Sequence, residues 1–263
     1  MSEHRYSYSQ LSSFTECPFS YYLGHIEEPR PEQAPNAWAE QGTLVHDLLD
    51  KWAKGILKKE ELAEEYARRY GDEVITSFPS LLASKGYTEK TYKQGLEYFE
   101  NFQGFPGYEV VSAEEECKMP LPLTDGSERP FIAFIDLILR DENTGGLVVC
   151  DHKSKSVSAF KKDRETMYKQ QYIYSYFVHE KYGEWPTVLM FNLFKEQQTD
   201  ERPFSEDEFK NTMQWATDAI LEIEDRDLLS WLECKPLPKS GKPDLFCQSI
   251  CSWRLICPQA LSK

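Results

Sequence analysis

The N-terminal half of the chain carries apolar residues at helical spacing. After Thr43 they recur every four positions, the period of an amphipathic helix: Leu44, Leu48, Trp52 and Ile56. Residues 9–12 are expected to open a shorter, earlier helix, which Pro18 interrupts or follows. Two further helices are predicted near residues 59–72 and 88–103.

The pattern then changes to the short apolar runs of strands. We expect strands at residues 108–119, 131–140, 146–152 and 187–194, with a helix over 161–181 before the last of them. Ser205 and Glu208 form a capping box for a final helix with these apolar positions: Phe209, Met213, Ala216, Ile220 and Ile223. The order αααβββαβα predicts a mixed α/β fold, a central mixed sheet flanked by helices.

One domain is expected over residues 1–263. It comprises a helical N-terminal part (1–105), a sheet core (106–200) and a C-terminal helix with an irregular, cysteine-containing tail (201–263). The composition, 40% hydrophobic and 14% aromatic, is that of a globular protein. The first residues lack the pattern of a signal peptide, and no apolar run is long enough to span a membrane. The seven cysteines are an odd number, which favours reduced thiols or metal ligation in a soluble, cytoplasmic protein.

The net charge of −14 is unfavourable for binding nucleic acid, which normally uses a basic surface. The segment from Lys153 to Lys169, however, contains six basic residues and only two acidic ones, Asp163 and Glu165. The candidate DNA contacts in this basic strip are Lys155, Lys161, Lys162, Arg164 and Lys169. The strip is compatible with a phosphate substrate, and it is also compatible with an ordinary solvated helix face.

Two acids interrupt the apolar strands between Phe131 and Lys153. Asp136 lies within the first strand, and Asp151 ends the second, two positions before Lys153. Side chains at i and i+2 share one face of a strand, so Asp151 and Lys153 point the same way and His152 points the other way. This arrangement suits a divalent cation held by the two aspartates, with the lysine beside a phosphate or water. The alternative is a hairpin whose acids are solvated at the strand ends.

Further polar residues lie on the predicted helices. His46 alone is more typical of a surface histidine, but with Asp136 and Asp151 it completes a nitrogen and oxygen ligand set suited to Mg²⁺ or Mn²⁺. Gln170 and Tyr174 lie one helical turn apart and could orient phosphate or water. The alternative for the tyrosines of this helix is simple packing.

Three cysteines cluster near the C-terminus: Cys247, Cys251 and Cys257. A metal or cluster needs a fourth ligand, and Cys17 is the best candidate, because Cys117 and Cys150 fall in strands and Cys234 follows Trp231-Leu232. Zinc would also accept four thiolates. The alternative is that the cysteines are small buried apolar residues.

Five segments in this order resemble the PD-(D/E)XK nuclease superfamily, in particular its RecB-type exonuclease branch, which includes phage and CRISPR-associated single-domain exonucleases. The segments are SYSQLSSFTECPFSYYL, GTLVHDLL, FIAFIDLIL, LVVCDHKSKS and KQQYIYSY. The resemblance implies a restriction-endonuclease-like core. It departs from the superfamily pattern at Ile135, where the name has a proline, and at the first cysteine spacing, which is one residue longer than the commonest cluster pattern.

The resemblance also implies roles for the residues above. His46, Asp136 and Asp151 would bind the metal with a backbone carbonyl near His152, Lys153 would stabilise the phosphate or position water, and Gln170 and Tyr174 would support the phosphate side. Cys17, Cys247, Cys251 and Cys257 would hold a [4Fe-4S] cluster, or zinc. The implied function is a metal-dependent exonuclease acting on DNA ends or single strands in recombination, repair or phage and CRISPR-type processing. The alternatives are a non-catalytic subunit of a recombination or defence complex, and a hydrolase acting on RNA.

Overall fold

The computed structural model describes residues 5–236 and 246–261. Its α-helices are α1 Tyr8–Glu16, α2 Pro18–Tyr21, α3 Ala37–Ala53, α4 Leu62–Glu73, α5 Ser80–Ala83, α6 Tyr87–Glu100, α7 Val157–Tyr182, α8 Glu206–Asp225, α9 Leu228–Leu232 and α10 Pro258–Leu261. Single turns of π-helix span Tyr22–Ile26 and Phe246–Ile250, and 3₁₀ turns span Lys59–Glu61 and Phe194–Glu196. The strands are β1 Tyr108–Pro122, β2 Glu128–Asp141, β3 Leu147–Lys153, β4 Val188–Leu193 and β5 Gln198–Pro203.

The strands form one five-stranded sheet in the order β1-β2-β3-β4-β5. Strand β3 is antiparallel to β2 and parallel to β4, and β5 is antiparallel to β4. Two parallel neighbours cannot be joined by a tight turn, and α7 makes the crossover between them. Its Gln171 amide donates a hydrogen bond of 2.8 Å to the Met190 carbonyl of β4, which fixes the helix on the sheet. The predicted mixed α/β fold with a central sheet flanked by helices is confirmed.

A helical core packs α3, α4 and α6 together. Leu44, Leu48 and Tyr66 are fully buried in it. The Gln41 side chain is also buried and donates hydrogen bonds to the Tyr66 hydroxyl (3.1 Å) and to the Thr91 carbonyl (2.8 Å). Because buried polar groups without partners are costly, these bonds fix how the three helices meet.

The chain divides into two compact units, each built from separate segments. The first contains Met1–Asn36, Pro120–Phe131 and Met213–Lys263, and the second contains Ala37–Met119 and Ile132–Thr212. The candidate site and the sheet residues that carry it lie wholly in the second unit, here called the site unit.

Several predicted boundaries differ from the structure. Helix α3 begins at Ala37 and ends at Ala53, so Ile56 lies outside it and is 66% exposed. Two residues after the helix end, Gly55 has a φ of 69°, a left-handed conformation that ends a helix. Helix α7 begins at Val157, where the Ser156 hydroxyl caps it. Strand β5 has no counterpart in the prediction, because its sequence, QTDERP, has no apolar residue to mark it.

The predicted irregular tail is only partly described. Residues 237–245 lie outside the described residues, and the π-helical turn and α10 follow them. Within the described ranges, none of the helices combines the length and apolar character needed to cross a membrane.

Candidate metal centre

Strands β2 and β3 bring two acids together at one end of the sheet. Leu137 pairs with Cys150, so the next positions along the antiparallel pair, Asp136 and Asp151, are neighbours on adjacent strands. Asp151 is 2% exposed. The Asp136 side chain is only 12% exposed. Two ionised carboxylates this close repel each other, and a nearby positive charge reduces that repulsion.

The Asp136 carboxylate is held by the backbone of β3. Its Oδ2 accepts a 2.7 Å hydrogen bond from the His152 amide. Burial, followed by the charge of Asp151, raises the pKa of Asp136 well above its usual value. A bound cation would offset both effects and restore the charged form.

His46, on α3, contacts both Asp136 and the backbone of His152. Its Nε2 lies 2.9 Å from the His152 carbonyl oxygen, and its Nδ1 lies 3.4 Å from Asp136 Oδ2. A carbonyl can only accept, so Nε2 carries the proton and the Nδ1 lone pair of the neutral ring faces Asp136. Burial, the largest effect, lowers the pKa of His46 and favours this neutral ring. The imidazole is therefore oriented as a metal ligand.

Glu114 of β1 is the third member of the group, and the sequence reasoning did not select it. One ligand atom each from His46, Glu114 and Asp136 can be chosen so that all three lie within 4.8 Å of one another. Glu114 has a φ of 48°, a left-handed conformation that is uncommon for a residue with a side chain. Burial and the charge of Asp50 raise the pKa of Glu114. The run Glu114-Glu115-Glu116 inside a strand was the available signal, but it does not say which glutamate points inward.

Asp151 and Lys153 form an ion pair beside this group. Lys153 Nζ lies 2.6 Å from Asp151 Oδ2, although that buried oxygen accepts no hydrogen bond of good geometry. The same ammonium donates to Gln170 Oε1 at 3.0 Å, and the Gln170 amide donates to the Tyr174 hydroxyl at 2.7 Å. The structure thus joins Asp151, Lys153, Gln170 and Tyr174 in one polar chain between β3 and α7.

The His152 carbonyl, a predicted metal ligand, lies next to His46, another predicted ligand. It accepts the His46 hydrogen bond, and the His152 ring points the other way, where its Nδ1 lies 3.1 Å from the Asn192 amide nitrogen. Burial and the charge of His46 lower the pKa of His152 well below its usual value, so its ring is neutral.

A cleft of about 470 Å³ opens over the three-residue group. His46 and Glu114 line it together with Asp47, Asp50 and residues at the start of α3. The ion pairs of Asp47 with Lys51 and of Asp50 with Lys54 partly balance its negative charge. Carboxylate oxygens with one imidazole nitrogen are a ligand set for a divalent cation such as Mg²⁺ or Mn²⁺. The raised pKa values of Asp136 and Glu114 mark two carboxylates whose charged form such an ion would stabilise.

Comparison with known proteins identifies the family. A model of the PD-(D/E)XK nuclease superfamily matches residues 5–258. This chain belongs to that superfamily. The acids on neighbouring strands and the Asp151-His152-Lys153 run lie within the matched region.

Two individual proteins are similar to this chain. Gene 69 protein of Mycobacterium phage L5 is 28% identical over 165 residues, which cover 49% of this chain and 55% of the phage protein. The match thus spans little more than half the length of that relative. The crystal structure of SSO0001 aligns with 97% of this chain and 96% of its own, at 16% identity and a TM-score of 0.37.

Ion pairs neutralise part of the basic strip between Lys153 and Lys169. Lys155 pairs with Asp163 at 2.8 Å, and Arg164 Nε donates to Asp200 at 2.9 Å. Lys161 and Lys162 are exposed, whereas burial lowers the pKa of the half-buried Lys169. Of the five predicted DNA contacts, Lys161 and Lys162 are therefore the most accessible to a phosphate backbone.

The predicted cluster cysteines belong to the first compact unit. Cys251 and Cys257 pack with Leu23 and Trp253. Burial raises the pKa of Cys251, and the nearby Cys257 and Cys17 raise it further. In the described part of the chain no three cysteines place their sulfurs within 4.8 Å of one another, the close spacing that tetrahedral zinc requires. Cys17, Cys251 and Cys257 are thus neighbours without forming a zinc-sized group.

Proposed function

We propose that this PD-(D/E)XK nuclease is a metal-dependent deoxyribonuclease of the RecB-type branch, an exonuclease that hydrolyses phosphodiester bonds at DNA ends or in single strands. One observation carries the proposal. His46, Glu114 and Asp136, from three separate elements, converge on one point with the Lys153 ammonium close to the adjacent acid. Membership of the PD-(D/E)XK nuclease superfamily also supports a metal-dependent nuclease activity.

The metal ligands in this proposal are His46, Glu114 and Asp136, with Asp151 beside them. When bound, a divalent cation supplies a water of lowered pKa and neutralises charge on the scissile phosphate. His46 keeps its Nδ1 lone pair available because its Nε2 donates to the His152 carbonyl. The His152 amide holds Asp136 in place in the same way. The backbone at His152 thus fixes two ligands at once.

Lys153 contributes fixed positive charge next to the reacting phosphate. Asp151 and Gln170 hold its ammonium from two sides, at 2.6 and 3.0 Å. A donor fixed in this way stabilises negative charge as it develops on the phosphate oxygens, because it needs little reorganisation. Gln170 and Tyr174 act as positioning residues, since they reach the site through Lys153.

Phage DNA processing or recombination is the setting that we propose for this activity. The similarity to a phage protein and the resemblance to phage exonucleases support it. We also propose that Cys17, Cys247, Cys251 and Cys257 hold a [4Fe-4S] cluster. The neighbouring positions of Cys17, Cys251 and Cys257 support this assignment.

A second candidate is a non-catalytic nuclease-fold subunit of a larger complex. The net charge of −14 favours it, because an acidic surface suits protein partners better than bare DNA. The ion pair of Lys153 with Asp151 disfavours it, because a site that had lost its chemistry has no need of a buried charge pair.

The deciding experiment incubates the full chain with linear DNA labelled at the 5′ or the 3′ end, with and without Mn²⁺ or Mg²⁺. We expect cleavage only with the ion, and a loss of at least about 100-fold in the Lys153→Ala variant. The assay is run below the melting temperature of this variant, because removing the partner of the buried Asp151 lowers its stability. Lys85→Ala, at an exposed lysine outside the site, is the matched control. Intact DNA with the wild-type chain and Mn²⁺ would favour the non-catalytic subunit, and full activity of Lys153→Ala would remove that residue from the mechanism.

A further inference from the structure

A second cavity lies in the site unit, on the side of β4 that faces the end of α6. It has a volume of about 340 Å³, within the usual range for small-ligand pockets. Aromatic rings and side-chain amides dominate its lining, in particular those of Tyr98, Phe102, Phe105, Tyr108, Asn192 and Gln198. We call it the amide–aromatic pocket.

The pocket contains unused hydrogen-bonding groups. Asn192 is 4% exposed, and its amide nitrogen donates to the Tyr98 hydroxyl at 2.8 Å and to His152 Nδ1 at 3.1 Å. Its Oδ1 has no hydrogen-bond partner among the residues that the structure describes. The Tyr108 hydroxyl and the amide of the exposed Gln198 also have no hydrogen-bond partner among the described residues. An amide oxygen that has no protein partner, on a residue that lines a cavity, can accept a hydrogen bond from a donor group of a ligand.

The charge of the pocket restricts the ligand. Glu201 is among the lining residues, all of which are described, and none of them is a lysine or an arginine. A phosphate or another anion would meet repulsion there without a compensating cation. A flat, neutral ring with donor and acceptor edges fits both the aromatic faces and the free amides.

The pocket is connected to the metal ligands through His152. His152 and Asn192 are direct partners on the parallel strands β3 and β4. The Phe105 ring stacks on the His152 ring at a centroid distance of 6.1 Å and an angle of 24°. The backbone of the same histidine contacts Asp136 and His46. One residue therefore separates the pocket wall from the proposed catalytic metal.

We propose that the amide–aromatic pocket binds a nucleobase, stacked against its aromatic rings and hydrogen-bonded to Asn192, Tyr108 and Gln198. This identification of the ring rests on the proposed action on DNA. The base belongs either to an unpaired nucleotide of the bound strand or to a released mononucleotide, because both present the same ring. In either case the base occupies the pocket while its phosphate stays outside, where no acidic lining opposes it.

The test measures binding of deoxyadenosine and thymidine to the full chain in EDTA, by calorimetry or saturation-transfer NMR. Thr199→Trp places a large ring at the exposed rim of the pocket. We expect it to weaken nucleoside binding at least about tenfold, and Gln198→Ala to weaken it about threefold. Thr88→Trp, at an exposed position of α6 outside the pocket, is the matched control and should bind as the wild type does. Deoxyribose 5-phosphate, which lacks the base, should not bind.

The result overturns the proposal if the wild-type chain binds neither nucleoside, or if Thr199→Trp and Gln198→Ala both bind them undiminished. Melting curves check that the variants fold. If Thr199→Trp does not fold, the binding of nucleosides to Gln198→Ala decides the test. A single-stranded hexanucleotide separates the two sources. Weaker hexanucleotide binding by Thr199→Trp assigns the base to the strand, and a loss confined to nucleosides and mononucleotides assigns it to the product. Because no metal is present, failure of DNA cleavage leaves this result unaffected.

Discussion

Glu114 is the residue whose role depends most on local backbone geometry. Its positive φ, within a long strand, turns its side chain toward His46 and Asp136 in the three-residue group. A residue held in an uncommon conformation stores a modest strain, which the surrounding strand has to maintain. The sequence does not reveal this, because alternation along β1 depends on every residue being extended.

Replacing Glu114 tests its place among the ligands. We expect Glu114→Gln to weaken Mn²⁺ binding about 10- to 100-fold, because it removes one anionic oxygen from the group. Calorimetric titration with Mn²⁺ measures this directly. Glu116→Gln, two positions along the same strand and paired with Lys118 at the surface, is the control and should leave the affinity unchanged. Equal Mn²⁺ affinities for Glu114→Gln and the wild type would exclude Glu114 as a ligand.

Asp136 is expected to reduce the stability of the metal-free protein. Its carboxylate is buried beside Asp151, and these two features raise its pKa. We expect Asp136→Asn to increase the free energy of unfolding in EDTA by about 1 kcal/mol, because it removes a buried charge while keeping an acceptor for the His152 amide. The same variant should lose the stabilisation that Mn²⁺ gives to the wild type. Urea unfolding with and without Mn²⁺ measures both effects, and a variant that Mn²⁺ still stabilises would contradict the assignment.

At the scale of elements, the contact of α4 with α6 depends on one glycine. A Cβ on Gly95 would collide with the Tyr66 hydroxyl, which also accepts the Gln41 hydrogen bond. We expect Gly95→Ala to lower the free energy of unfolding by about 1–3 kcal/mol, because the helices must separate to admit the methyl group. Gly71→Ala is the matched control, since nothing lies within 4 Å of a Cβ there and α4 should gain up to about 1 kcal/mol from the better helix former. Thermal or urea unfolding of both variants measures the contrast, and equal stability of Gly95→Ala and the wild type would mean that the helices repack without loss.

The elements that the sequence predicts are those with a buried face. Strand β3 is buried along almost its whole length, and its apolar run marked it clearly. Strand β5 alternates between exposed and half-buried polar residues, so pairing with β4 defines it and composition does not. The site residues, too, could be predicted where they interrupt or border an apolar element. His46, Asp136, Asp151 and Lys153 were chosen as polar residues in or beside apolar elements, whereas Glu114 depends on a bend in the backbone that no spacing encodes.

At the scale of the whole molecule, acidic residues predominate and some of them line the cleft of the candidate site. The chain carries 44 acidic and 30 basic residues, and acids line the cleft over the metal ligands. A cation at the site would change the sign of the local field that an approaching phosphate meets. Lys161 and Lys162, exposed on α7, are the predicted DNA contacts that would add attraction for a phosphate backbone in the proposed function. A bound cation would therefore reduce the repulsion between the acidic cleft and a nucleic-acid substrate.

The proposed cluster and the proposed catalytic metal belong to different compact units, and their independence can be tested by substitution. Cys251 lies in the first unit and His46 in the site unit. We expect anaerobically purified wild-type protein to be brown, with about four iron and four sulfide per chain. Cys251→Ser should lose the colour and the iron, because one thiolate ligand is missing, while calorimetric Mn²⁺ binding at the site unit persists. Cys117→Ala, at a strand cysteine of the site unit, is the control and should retain the colour. Colourless wild-type protein would remove the cluster from the proposal, and loss of Mn²⁺ binding in Cys251→Ser would show that the two units do not hold their metals independently.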